Sequence, residues 1–348
     1  MSGDRETDIR LSSLAEIEAF FQLIDEKPFR AKQVYEWLWK KSCRSFDEMT
    51  NLSKETREKL RQKFTFDIVT IRKTFTSADG TVKNIFRLHD GLLVEGVLIP
   101  SDDRTTACIS CQAGCPLDCR FCATGQLGFT RNLSFPEIYD QVVLLNLQSK
   151  QFFGSSLTNI VYMGMGEPLL NYEQVLQSVE KITSEAGLGI SPQRITISSV
   201  GIPKMIMKMA DDNVKFHFAL SLHSANNEKR SRIIPLNKKF PLEELTDALK
   251  YYHQKTKKRF TIEYILFNDF NDSIHDAREL AIFCKSFPVK INLIEYNSTH
   301  TSFFQKSQTG KLTAFKEFLE MKNLVVNTRK SRGEDIAAAC GQLALKEK

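Results

Sequence analysis

Between residues 13 and 64, apolar side chains recur at three- and four-residue spacing in three stretches, SLAEIEAFFQLI, RAKQVYEWLWKK and SKETREKLRQKF. That period predicts three helices, the third with Ser53 as its cap candidate. From 66 to 100 the rhythm changes. FDIVTIRKTFTS, TVKNIFRLH and LLVEGVLIP alternate or run β-branched, and ADG and HDG punctuate them, which predicts a small antiparallel meander. From residue 105 onward strand-like and helical stretches take turns. TTACIS, TNIVYMGM, RITISS, VKFHFALSL, RFTIEYILF and VKINLIEYN read as strands, helical stretches separate them, and LVVNTRK reads as a last strand. The first of these helices, SFPEIYDQVVLLNLQ, has its cap at Ser134. Strands and helices at this spacing imply right-handed crossovers and a parallel sheet. About six βα units fit, short of the eight of a closed barrel. The expected fold is α/β: a partial, open (βα)6 barrel over 105–348, after a helical accessory domain over 1–65 and a β meander or linker over 66–104.

Composition narrows the class. The 348 residues are 42% hydrophobic and 26% charged, ordinary for a globular chain with a sizeable core. No run approaches the roughly 18 uncharged apolar residues of a membrane span. The start, MSGDRETDIRLSS, has no signal-peptide character, so the expectation is a cytoplasmic protein with reduced cysteines. The net charge of +6 is unevenly spread: Pro28 to Phe64 holds ten Lys or Arg against five Asp or Glu. A solvated helical face would account for such a run. Yet FRAKQVYEWLWKK interleaves these bases with Phe29, Tyr35, Trp37 and Trp39, a mixture that suits phosphate neutralisation and stacking on RNA.

The unusual polar residues fall after the predicted strands, where parallel α/β barrels keep their chemistry. The cysteine loop follows the first strand and Gly164 to Pro168 (GMGEP) the second. Ser198 and Ser199 end the third, Ser221, Leu222, His223 and Ser224 the fourth, and Glu295, Tyr296 and Asn297 the sixth. Singly each has a plain structural reading as a turn, cap or core residue; together they describe one pocket.

Five of the eight cysteines, Cys108, Cys111, Cys115, Cys119 and Cys122, lie in CISCQAGCPLDCRFC. The last three make C-x3-C-x2-C. A structural zinc site takes four ligands in more widely spaced pairs, and a dithiol redox motif explains only Cys119 and Cys122. Three thiolates on a 4Fe–4S cluster leave one iron open for a substrate. With Phe121 before the last cysteine and the (βα)6 context, the loop resembles that of the radical S-adenosylmethionine (SAM) superfamily.

CQAGCPLDCRFCATGQLGF, YMGMGEPLLN, SLHSANNEKR, RGEDIAAACGQL and, near the start, FRAKQVYEWLW narrow the resemblance to the RlmN/Cfr family of radical SAM RNA adenine methyltransferases. The resemblance implies that Cys115, Cys119 and Cys122 ligate the cluster. It implies that Gly166, Glu167, Ser198, Ser221, Leu222, His223 and Asn297 bind SAM. Cys340 matches the cysteine that one SAM methylates; a second SAM, reductively cleaved, yields the radical that takes a hydrogen from the S-methyl, so two SAM are used per turnover. The methylene radical then adds to the amidine carbon of adenine. Glu95 matches the proton acceptor and Cys108 the thiol that resolves the adduct as a transient disulfide with Cys340. Cys111 stands where the family commonly has serine and receives no role. Cys43 and Cys284 lie in helical patterns as core or surface bystanders.

Pro168 and the LLN after it look more like the branch that methylates C2 of an adenosine in the peptidyl transferase centre of 23S rRNA than the C8, Cfr-like branch that confers antibiotic resistance. The C2 branch includes methylation of the adenosine 3′ of the tRNA anticodon, which this sequence leaves open. The implied partners are 23S rRNA, tRNA on that second activity, and a low-potential donor such as flavodoxin or ferredoxin, with no membrane; a monomer is expected. The sequence also admits two other readings: a radical SAM enzyme acting on a peptide or small molecule, and a zinc-bearing RNA-binding module.

Overall fold

Residues 7–299 and 303–345 are described by the structure, a computed structural model. Ten strands form one sheet whose spatial order is their chain order. They are β1 Thr70–Thr76, β2 Val82–Arg87, β3 Leu93–Ser101, β4 Arg104–Cys108, β5 Asn159–Tyr162, β6 Ile195–Ser199, β7 His217–Ser221, β8 Phe260–Leu266, β9 Val289–Glu295 and β10 Val325–Arg329. The pairings from β1 to β4 are antiparallel, and those from β4 to β10 are parallel. Seven parallel strands joined by six crossovers are the (βα)6 pattern with its closing strand. Among the described residues β10 pairs only with β9, so the barrel stays open. The meander predicted from the alternating stretch is present, and β3 continues it directly onto β4.

Parallel strands are buried on both faces and read as apolar runs for that reason. In β8, for example, six of seven residues are buried. The helices that cover them carry the signals seen in the sequence. The helix Phe135–Phe153 opens with a reciprocal Ser134–Glu137 capping box and has Pro136 in its first turn.

The N-terminal helices are Leu14–Leu23, Phe29–Trp39 and Lys54–Lys63. Ser53 caps the third, its Oγ accepting from Thr56 N at 3.0 Å. Trp39, 1% exposed, stacks on Phe135 and meets Tyr139 edge-on, so part of the aromatic run joins this helical part to the barrel. Arg10 adds a buried ionic tie, 2.8 Å from Asp8 and 2.7 Å from Asp140. Phe29 remains 48% exposed beside Arg30, leaving an aromatic and a cation together at the surface.

Candidate functional site

The cysteine loop is braced by a two-stranded ribbon, Gln112–Gly114 against Phe129–Asn132. Gly114 has φ +81°, and a Cβ there would meet Gly128 O at 1.9 Å, so only glycine closes the ribbon. Beyond it Cys115, Cys119 and Cys122 border one cavity, together with Gly166, Glu167, Ser198, Ser221 and His223. Burial holds the Cys115 thiol up at about 12 and raises Cys119 as well, so metal binding there must displace protons.

Each wall of the cavity has a physical specification. Gly166 has φ +104°, and a Cβ would come 2.6 Å from the Gln112 Cβ, while Gln112 Oε1 accepts from Glu167 N at 2.9 Å. Glu167 is buried, its oxygens taking Leu169 N and Val200 N at 3.0 Å each. Burial raises its carboxyl and those two donors oppose the rise. Among the described residues it has no cationic partner within ion-pair distance, so a ligand ammonium would complete it. Ser198 Oγ and Ser221 Oγ lie 3.1 Å apart.

His223 Nδ1 accepts from Ile265 N at 3.1 Å, which puts the ring proton on Nε2. Burial, and then the charge of Arg230, pushes this imidazole down to about 3, so it is a neutral donor. Leu222 is different: its side chain is fully buried in the core and borders neither cavity, while its backbone N donates to Glu263 O.

A second cavity adjoins the first and contains Cys108, Asn297 and Cys340. Cys340, Cys122, Met163 and Arg329 border both. The segment carrying Cys340 is clipped to the cysteine loop by Ala123 N to Gly341 O at 2.7 Å and Thr124 Oγ1 to Leu343 O at 2.7 Å. Asn297 Nδ2 donates to Cys340 O at 3.4 Å. All these thiols are free. Burial raises the Cys108 thiol to about 12, while Cys340 is exposed at the cavity and its rise comes from the groups crowded around it; in each case the Arg329 guanidinium opposes the rise.

Glu95 lies in neither cavity. It sits under the same C-terminal segment, its Oε2 accepting from Leu345 N at 3.2 Å and its Oε1 standing 3.3 Å from Lys83 Nζ. Burial raises its carboxyl and Lys83 opposes the rise. Cys111 is sealed, with Sγ 3.7 Å from Met165 O, and borders neither cavity. Cys43 and Cys284 are core residues whose thiols burial holds at about 12. Lys83 and Arg329 carry no signal in the sequence beyond their charge, and Arg230 closes the SLHSANNEKR motif with no role assigned to it there.

An open (βα)6 sheet with a three-cysteine loop after its first parallel strand and a buried GE after its second defines a radical SAM enzyme. The Radical SAM superfamily model matches residues 109–281. A solved radical SAM methyltransferase from Sphaerobacter thermophilus superposes with a TM-score of 0.92 at 37% identity, covering 98% of this chain and 100% of that one. The model of the ribosomal RNA large subunit methyltransferase N-terminal domain matches residues 9–66. The chain belongs to the RlmN family. It is 52% identical to a probable dual-specificity RNA methyltransferase RlmN from Christiangramia forsetii, over 99% of this chain and 97% of that protein. It is 43% identical to the dual-specificity RNA methyltransferase RlmN of Nitratidesulfovibrio vulgaris, over 98% and 96%. Membership of the superfamily implies a 4Fe–4S cluster and SAM. Among the described residues no helix is long and apolar enough to cross a membrane.

Proposed function

We propose that this chain methylates C2 of an adenosine in 23S rRNA, through a methyl group first placed on Cys340. The adenosine 3′ of the tRNA anticodon is proposed as its second substrate, a reading supported by the dual specificity in the relatives' names. The observation that carries the route is the position of Cys340 on the wall between two cavities, one bordered by the cluster cysteines and the other by Cys108.

The residues divide the work accordingly. Cys115, Cys119 and Cys122 hold the cluster. Glu167 pairs with the ammonium of SAM, while Gly166, Ser198, Ser221, His223 and Asn297 seat the rest of it and Leu222 supports them from the core. When bound, the cluster would supply the electron that cleaves SAM into methionine and a carbon radical, and would take back the one electron that the RNA adduct must lose. The Cys340 sulfur attacks the methyl carbon of one SAM, the sulfonium–methyl bond breaks and S-adenosylhomocysteine leaves. The S-methyl later gives a hydrogen to the carbon radical from a second SAM so that its carbon can bond to adenine. Adenine C2 is electrophilic and cannot take a sulfonium methyl directly, which is why the route needs a carbon carried on sulfur. Glu95 accepts the proton from the substituted carbon. Cys108 then attacks Cys340 sulfur, the carbon–sulfur bond breaks, and the resulting disulfide is reset by an external thiol reductant. Arg329, beside both sulfurs, favours their thiolate forms.

Residues 1–65 are proposed to contact the RNA backbone, since the cationic run and exposed Phe29 lie there. An electron donor of low potential, such as flavodoxin or ferredoxin, would serve the cluster.

The test is anaerobic reconstitution with iron and sulfide, followed by SAM, a reductant and a 23S rRNA fragment or tRNA. Methylated adenosine in the RNA, and RNA affinity that falls steeply with salt, are expected. A reconstituted cluster with no methylated adenine in either RNA would overturn the proposal.

A further inference from the structure

The helix Asn227–Ile233 lies beneath the cysteine loop. Arg120 N donates to Ile233 O at 3.0 Å, and Ile233 and Ile234 pack with Leu117, Cys119 and Phe121. From this helix Arg230 points into the protein, 1% exposed. Its Nε donates to Leu222 O at 3.1 Å, its Nη1 to Asn237 Oδ1 at 2.7 Å, and its Nη2 to Val200 O. All three acceptors are neutral. Among the described residues no carboxylate lies within ion-pair distance of it. Arg10, the other deeply buried arginine, shows the usual arrangement, with a carboxylate on each side.

A buried guanidinium with only neutral partners is a costly group, since hydrogen bonds to carbonyls do not cancel its charge. Burial draws Arg230 down to about 10, and the group that opposes this is Cys119. Val200, whose O accepts from Nη2, borders the cavity of the three cysteines, so the charge stands behind the wall of that cavity, outside ion-pair distance of the carboxylates there, Glu167 and Glu263. A 4Fe–4S core of charge +2 held by three thiolates carries −1, and −2 once it accepts an electron.

We propose that Arg230 is the fixed counter-charge of the cluster, balancing the anionic cysteine loop and favouring its reduced form. The proposal rests on the assignment of Cys115, Cys119 and Cys122 as cluster ligands, and it adds a residue outside the ligand loop that sets the reduction potential. One electron enters from the external donor, no bond to Arg230 forms or breaks, and Arg230 stays protonated throughout.

The experiment is a potentiometric titration followed by electron paramagnetic resonance, on reconstituted wild type, Arg230→Gln and Arg230→Lys. If wild type assembles no cluster, the ligand assignment itself fails. Given a cluster, Arg230→Gln is expected to make reduction about tenfold less favourable, about 59 mV lower for one electron. Arg230→Lys keeps the charge and is expected to stay near wild type. An unchanged potential in Arg230→Gln, or an equal shift in Arg230→Lys, overturns the proposal.

Should Arg230→Gln assemble too little cluster to titrate, thermal unfolding of the chelator-stripped and reconstituted forms decides. The neutral variant is expected to lose more stability relative to wild type in the iron-loaded form than in the stripped one. Equal losses in the two forms would assign Arg230 a purely structural part and overturn the proposal.

Discussion

Lys83 Nζ stands 3.3 Å from Glu95 Oε1, and the two side chains are 2% and 0% exposed. They are diagonal neighbours on one face of the sheet, because Lys83 pairs with Val97 and Glu95 is two residues earlier on the same strand. Val97 in turn pairs with Cys108, so the proposed base, its cation and the proposed resolving thiol belong to one face. Burial raises the Glu95 carboxyl, which acts as a base only when ionised; Lys83 opposes that rise. Lys83→Met should therefore move the acid limb of adduct release to higher pH and leave methylation of Cys340 unchanged. Glu95→Gln should slow release by roughly 10²–10⁴-fold, the usual contribution of a positioned base. Quantifying the RNA–protein adduct and the free methylated RNA across pH checks both.

Cys340, Cys108 and Cys111 separate by position. Cys340→Ala should abolish RNA methylation while the cluster's absorption remains. Cys108→Ala should accumulate RNA covalently held at Cys340, visible as a nuclease-sensitive shift on a denaturing gel. Cys111 borders neither cavity, so Cys111→Ala should still resolve the adduct. Clean turnover by Cys108→Ala would remove the proposed disulfide step.

Arg329 borders both cavities and lies 3.5 Å from Glu263. Its charge opposes the upward shift of both thiols. Arg329→Gln should raise those pKa values further, so S-methylation of Cys340 slows near neutral pH and recovers as pH rises. Intact-protein mass spectrometry of the single-turnover methylated enzyme, sampled from pH 7 upward, gives the profile; a uniform loss at every pH would contradict the electrostatic role.

The Arg10–Asp140 contact ties the N-terminal segment to the first barrel helix, and Asp140 also accepts from Val69 N at 2.9 Å. Asp140→Asn leaves a buried arginine with one carboxylate in place of two. Because Asp8 still compensates Arg10, the loss is that of one charge-assisted hydrogen bond, about 1.5–3 kcal/mol, which urea unfolding should show. The cluster content of the folded fraction should not change.

Much of this architecture was legible because each strand and helix carries its own period. The triad Cys115, Cys119 and Cys122 was legible because its spacing is local. Glu95 was not: in LLVEGVLIP it alternates like a solvent-facing strand residue, and only the C-terminal segment, some 250 residues on, seals it. Lys83 reads as an ordinary exposed lysine for the same reason. Arg230, within NEKRSR, has the look of a polar helix face, yet it turns inward toward loops from two other strands. Leu222 shows the converse. Its motif implies a binding residue, and the side chain belongs to the core with only its backbone near the rim.

Transfer of carbon through Cys340 is tested with SAM whose transferable methyl is fully deuterated. Digested RNA is then resolved by mass spectrometry into its nucleosides. Passage through S-methyl Cys340 removes one deuterium before the carbon meets adenine, and the released base gains a hydrogen from water. The expected product is 2-methyladenosine with two deuteriums in its methyl group. A methyl that keeps all three deuteriums, or one placed on C8, would contradict it.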